Sequence, residues 1–171
     1  MMNVGPFAAA DRMRLEDLNE LDAAAAEREF LRCCGSVQWA REMAASRPFD
    51  SAEAMAETSD AIWSSLDRAD WLEAFAAHPR IGDRAASSWA AAEQAGAGTA
   101  PDEVRRRLAA SNRDYEARFG YIFIVCATGQ TAEAMLAALE GRLTNDPDEE
   151  LHIAAEEQRK ITQLRLAKLL T

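Results

Sequence analysis

Apolar residues recur at helical spacing along most of this chain, and short polar punctuation marks where each run starts and stops. Asp22 stands ahead of a run that carries Phe30 and Leu31 to Cys34, and Gly35 closes it. Ser36 heads a segment with Val37, Trp39, Ala40 and Met43 that ends at Arg47-Pro48. Ser51 and Asp67 head two more, ending near Leu66 and Ala77. Pro101, with Asp102 and Glu103 behind it, suits a first helical turn, and that helix extends through Val104, Leu108 and Tyr115 to Phe119-Gly120. Thr131 opens a helix through Met135, Leu136 and Leu139. Asp146-Pro147-Asp148-Glu149 opens the last and longest, which reaches Leu169.

Two stretches break the pattern. Residues 80–100 hold Gly82, Gly96, Gly98 and a Ser-Ser pair around an alanine-rich centre, which predicts a long loop with one short helix from Trp89 to Gln94. Tyr121-Ile122-Phe123-Ile124-Val125-Cys126 is a continuous β-branched and aromatic run, a buried strand by propensity. A lone strand has no partner for its backbone. The run is therefore expected to be an irregular or extended buried segment near 121–126, with unpaired backbone groups open to a ligand. Residues 1–13 read as a loose leader. The expected fold is one all-α domain over 14–171, a bundle of seven to nine helices.

Composition agrees with this. Alanine is abundant, hydrophobic residues make up 49% and charged residues 28%, a globular balance that favours helix. The formal net charge of −10 opposes binding to nucleic acid or to an anionic membrane surface. It does not oppose a small anion, which needs only one or two placed arginines. Cys33, Cys34 and Cys126 make a poor disulfide framework and suggest a reducing compartment. No Cys/His spacing resembles a zinc site, so no metal is expected. No signal-peptide pattern or apolar stretch of membrane-spanning length is present, and the expected location is the cytoplasm.

The chemistry gathers at few places. His78-Pro79-Arg80-Ile81-Gly82-Asp83 follows a helical run, and Pro79 stops that helix and pushes His78 out of the α region. His78 reads either as a helix C-cap serving the dipole or as an acid/base held by rigid backbone. Glu93-Gln94 offers a carboxylate that could orient a polar group or exchange its proton, against the commoner solvated loop acid. Arg118 reads as a helix-closing residue, and His152 as a structural or surface histidine. Arg165 shares a helix face with Ile161 beside Leu164, Leu166 and Leu169, so it either snorkels or points into a pocket. A base, an acid and a cation, with no nucleophile elbow, P-loop or dinucleotide fingerprint, suit proton transfer or decarboxylation of a small anion. A helical interaction module anchored by Trp39, Trp63, Trp71 and Trp89 is the competing class.

Several motifs in order resemble those of one family, the 2-oxo-4-hydroxy-4-carboxy-5-ureidoimidazoline (OHCU) decarboxylases of urate breakdown. They are Arg47-Pro48-Phe49, His78-Pro79-Arg80-Ile81-Gly82, Glu93-Gln94-Ala95-Gly96, Asn112 with Tyr115, Arg118-Phe119-Gly120 through Ala127, Arg142-Leu143 with Asn145, and Glu156 through Leu166. The resemblance implies an all-helical homodimer that needs no metal or organic cofactor and converts OHCU, a small anion, to (S)-allantoin with loss of CO₂. It also implies roles: His78 as acid/base, Pro79 beside the substrate, Glu93 and Gln94 on its ureido or ring polar groups. Phe123, Ile124, Val125, Cys126 and Ala127 would supply backbone contacts, and Arg165 would bind the anionic end. One position departs. The family carries a serine three residues ahead of the glutamate, where this chain has Ala90. The missing hydroxyl removes one substrate hydrogen bond, about 0.5–1.5 kcal/mol net, unless Ser87 or Ser88 replaces it. A related enzyme acting on another ureide or hydantoin-like acid is the nearest alternative.

Overall fold

The computed structural model describes residues 12–82 and 88–170, and only the backbone of 88–90. Among the described residues there are ten helices and no strand. Two compact units share them: the described part of 1–66 with 162–171, and Asp67–Ile161.

The first unit holds α1 (Leu15–Glu20), α2 (Ala23–Cys33), α3 (Val37–Ala45) and α4 (Ala52–Ser65), with the end of the last helix. Side-chain oxygens of Asp22, Ser36 and Ser51 accept the amides of Ala25, Trp39 and Ala54, so each of these helices after α1 begins at its predicted cap. Phe30 sits edge-on to Trp39 at 5.9 Å and to Phe49 at 6.3 Å, and all three are buried. Arg47 finishes this unit's wiring. Its Nη1 donates to the carbonyls of Leu18 and Leu21 at 2.7 Å each, and its Nε donates to Ala44 at 3.0 Å. It thus serves orphan carbonyls at the ends of α1 and α3. Asn19 bridges the next residues, accepting the Phe49 amide and donating to the Phe49 carbonyl at 2.9 Å each. The predicted leader lies outside the described residues up to position 11; Met13, its last residue, donates its amide to Leu169 at 2.9 Å.

The second unit holds α5 (Arg68–Ala76), α6 (Ser88–Glu93), α7 (Ala95–Gly98), α8 (Asp102–Phe119), α9 (Ala132–Arg142) and the greater part of α10 (Pro147–Leu169). Asp67 caps α5, Thr131 caps α9, and Asp146 accepts the amides of Asp148 and Glu149 at the head of α10. Gly120 ends α8 in the left-handed conformation at φ +81, which favours glycine. Seven to nine helices were expected, eight of them by location; the described residues hold ten, and α1 and α7 are the two beyond those placed. The α7 turn packs tightly: a Cβ on Gly96 would lie 2.1 Å from the Gln130 carbonyl oxygen. The core is a cluster of rings, with Tyr115 against Phe119 at 4.6 Å, Phe123 at 5.4 Å and Tyr121 at 5.9 Å, and Phe75 against Tyr121 at 5.4 Å.

The 121–126 run is irregular, as expected, and lies against these rings. A polar centre holds it. Glu150, fully buried on α10, accepts from the Tyr115 hydroxyl, from Arg142 Nε at 2.8 Å and from Asn145 Nδ2 at 2.8 Å. Arg142 Nη1 donates to the Ile124 carbonyl at 2.8 Å, and the guanidinium lies over the Phe123 ring at 4.5 Å. Its Nη2 is 2.6 Å from the same Glu150 oxygen but makes no hydrogen bond, so that contact is Coulombic.

Candidate active site

His78 sits one residue beyond the C-cap of α5, its amide donating to Phe75 at 3.1 Å. Pro79 follows at the break, and Gly82 turns the chain at φ +90. The half-buried ring of His78 meets α10: Nε2 lies 2.6 Å from Oε1 of Gln158, which is 0% exposed. The next turn residue is tied to α8, where Arg80 makes a two-pronged pair with Glu116 at 2.9 and 2.8 Å.

Gln94, between α6 and α7, closes over this turn. Its Oε1 accepts the Gly82 amide at 3.3 Å, and its Nε2 reaches the Pro79 carbonyl in a long 3.5 Å contact. Glu93 is buried, and its charge reaches Cys126. Cys126 itself is half-buried. Burial, helped by the charges of Glu157 and Glu93, pushes its thiol above the ordinary range. The Cys126 amide donates to Glu157 Oε2 at 2.7 Å, and Lys160 pairs with the other oxygen of Glu157 at 2.6 Å.

These contacts lie within one unit. His78 touches Gln158, the neighbouring Glu157 holds the Cys126 amide, and Gln94, next to the buried Glu93, returns to Pro79 and Gly82. Of the residues singled out from sequence, the structure links His78, Pro79, Glu93, Gln94 and the 123–127 segment. Arg165 lies farther along α10, in the other unit, half-buried; its charge draws down the Cys33 thiol that burial pushes up to about 12. The Ala90 side chain and Ser87 lie outside what is described. His152 is exposed and meets Trp71 edge-on at 5.5 Å. Arg118 donates to the Asn145 carbonyl at 2.9 Å and lies over Phe119, a structural task.

The expectation of open backbone groups in the 121–127 segment needs correction. The Ile124 carbonyl is taken by Arg142, the Cys126 amide by Glu157, the Cys126 carbonyl by Gln130 Nε2 and the Ala127 carbonyl by the Gln130 amide. Buried backbone has to be paired, and side chains do it where no strand can. The backbone groups of Phe123 and Val125, both buried, meet no hydrogen-bond partner among the described residues.

Sequence reasoning assigned no task to Gln158, Glu157, Arg142 or Glu150. A signal for Gln158 exists: it shares a helical stripe with Leu151, Ala154, Ala155, Ile161 and Thr162, all buried, where a long amide has to find a partner. Among the described residues, no group of three His, Cys, Asp or Glu side chains could hold a metal ion, and no helix is long and apolar enough to cross a membrane.

A histidine at a helix break and a buried carboxylate, carried on an all-α scaffold, are the groups of a candidate acid–base site. Comparison with known proteins gives that class a family. The OHCU decarboxylase family model matches residues 19–167. The chain is 43% identical over 151 residues to the uric acid degradation bifunctional protein TTL of Arabidopsis thaliana, covering 84% of this chain and 47% of that protein. It thus spans about half the length of that plant relative. It is 29% identical over 167 residues to 2-oxo-4-hydroxy-4-carboxy-5-ureidoimidazoline decarboxylase of Haloferax volcanii, covering 91% of this chain and 95% of that one. A crystal structure of OHCU decarboxylase in the presence of (S)-allantoin superposes with a TM-score of 0.75 at 42% identity, over 82% of this chain and 95% of that chain. The chain belongs to the OHCU decarboxylase family, carboxy-lyases of urate degradation.

Proposed function

We propose that this chain removes CO₂ from OHCU and delivers (S)-allantoin. The observation that carries the reading is the His78–Gln158 contact at the α5 break, in the unit that also holds Glu93 and the 123–127 segment. In the reaction the bond from ring carbon to carboxylate breaks, its electron pair moves into the ring, and CO₂ leaves. One proton then returns to a ring carbon, and the face it enters sets the handedness. His78 is the group that exchanges this proton with the substrate. The backbone amides of the buried Phe123 and Val125 are assigned to the charge that moves into the ring, where a dry donor is worth most. Glu93 orients the ureido end. Gln94 acts on the turn as well as on the ligand, because its amide already spans Pro79 and Gly82. Arg165 is assigned to the substrate's carboxylate on the family resemblance, with a planar fork that suits it.

The apolar neighbours Phe123 and Ile124 favour departure of a neutral product over a hydrated carboxylate. A homodimer in the cytoplasm belongs to the same reading; Cys33, Cys34 and Cys126, none of them in a disulfide, support a reducing compartment.

Freshly generated OHCU followed by circular dichroism tests this. The protein is expected to speed the signal and bias it toward (S)-allantoin, and His78→Ala to abolish both while leaving the helical spectrum intact. Absence of acceleration by the native chain ends the reading; acceleration on a different ureide acid alone moves it to the related-enzyme alternative.

A further inference from the structure

Gln158 contributes a buried amide to the site, and general chemistry limits what that amide can do. A leucine would suit the same stripe of α10, and an unpaired buried amide costs free energy. The carboxamide oxygen Oε1 instead lies 2.6 Å from His78 Nε2. A carboxamide oxygen only accepts, so the ring nitrogen facing it carries the hydrogen.

We propose that Gln158 is a positioning residue that holds neutral His78 as its Nε2–H tautomer and leaves Nδ1 as the nitrogen that exchanges the reaction's proton. The proposal rests on His78 as the acid/base of the proposed function. Nδ1 takes a proton from the substrate's hydroxyl, the ring becomes an imidazolium that still donates from Nε2 to Gln158, and Nδ1 then gives that proton to the ring carbon; a second proton, from water, neutralises the negative charge that departing CO₂ leaves on the ring. Histidine and amide end as they began. Because the partner is neutral, it orients the ring without the Coulombic pull toward imidazolium that a carboxylate would exert. The register of α10 against the ring is pinned one residue away, where Glu157 holds the Cys126 amide on one oxygen and Lys160 on the other.

The chain has two histidines, His78 and His152, so ring ¹⁵N spectra of histidine-labelled protein are directly assignable with a His152→Asn control. At a pH where His78 is neutral, the wild-type ring is expected to show a protonated Nε2 and a bare Nδ1. Gln158→Leu is expected to mix the tautomers and lower kcat about tenfold or more, with KM within about twofold. Gln158→Glu, which keeps an acceptor at the same reach, is expected to retain the Nε2–H signature. A wild-type ring protonated at Nδ1, a Gln158→Leu tautomer equal to wild type, or a changed tautomer with unchanged kcat would each overturn the proposal. Should Gln158→Leu not fold, the wild-type and Gln158→Glu spectra decide. The spectra need no turnover, so a chain inert toward OHCU would sink the proposed function while the tautomer is still read.

Discussion

Arg142 and Glu150 form a buried pair whose cationic partner also grips the Ile124 carbonyl, so a carboxylate with no access to solvent is what holds the irregular 121–126 run. Three donors from three places in the chain converge on Glu150: Tyr115, Arg142 and Asn145. Two of the family motifs, Asn112 with Tyr115 and Arg142-Leu143 with Asn145, thus supply this scaffold.

Removing one member of such a pair leaves a charge stranded. Arg142→Met is expected to lower unfolding free energy by about 3–5 kcal/mol, read as a shifted urea midpoint. Arg142→Met with Glu150→Leu is expected to recover part of that loss, since no buried charge remains. A single variant as stable as the parent would mean the pair holds nothing.

Gly96 and Gly98 make a matched comparison within one turn. A methyl group on Gly96 would meet the Gln130 carbonyl at 2.1 Å, whereas one on Gly98 meets nothing within 4 Å. Gly96→Ala is expected to destabilise by about 1–3 kcal/mol as α7 is pushed off the loop. Gly98→Ala is expected to be neutral or to stabilise by about 0.4–1 kcal/mol. Thermal melts of the two variants check the contrast, and equal melting temperatures would refute it.

Alkaline stability has a named contributor. Burial raises the Cys33 thiol to about 12 in the folded chain, against about 8.5 for an unfolded cysteine. The native state therefore keeps a proton that the unfolded state releases. The stabilising effect of the protonated thiol is whole below about pH 8.5 and is lost as pH climbs toward 12. Cys33 also donates to the Glu29 carbonyl at 3.8 Å, a contact the thiolate cannot make. Cys33→Ala is expected to flatten the fall in stability between about pH 8.5 and 11, measured by urea unfolding at stepped pH. An unchanged slope would assign the loss elsewhere.

What could be read from sequence divides by range. Caps at Asp22, Ser36, Ser51, Asp67, Thr131 and Asp146 were legible because a short polar side chain and the amide it accepts lie within three residues. The irregular nature of 121–126 followed from the absence of a second strand. Helix α1 escaped because the C-terminal carbonyls it exposes are taken by Arg47, far along the chain. Helix α7 escaped because glycine normally argues against helix, and here a close approach to Gln130 requires it. The same limit applies at the site. His78 was visible from the proline beside it, but its partner stands 80 positions away, and the supports of the 123–127 backbone come from α9, α10 and the loop between Ala127 and Thr131.

Those supports carry a consequence for the chain outside its folded state. Tyr121-Ile122-Phe123-Ile124-Val125-Cys126 has the composition of a self-associating segment: apolar, β-prone, without charge or proline. In the folded chain it is buried and irregular, and Arg142, Glu157 and Gln130 occupy hydrogen-bonding groups that a second strand would otherwise seek. The same three side chains that shape this wall of the site therefore act as gatekeepers against intermolecular pairing. Weakening them would surface first as insoluble protein.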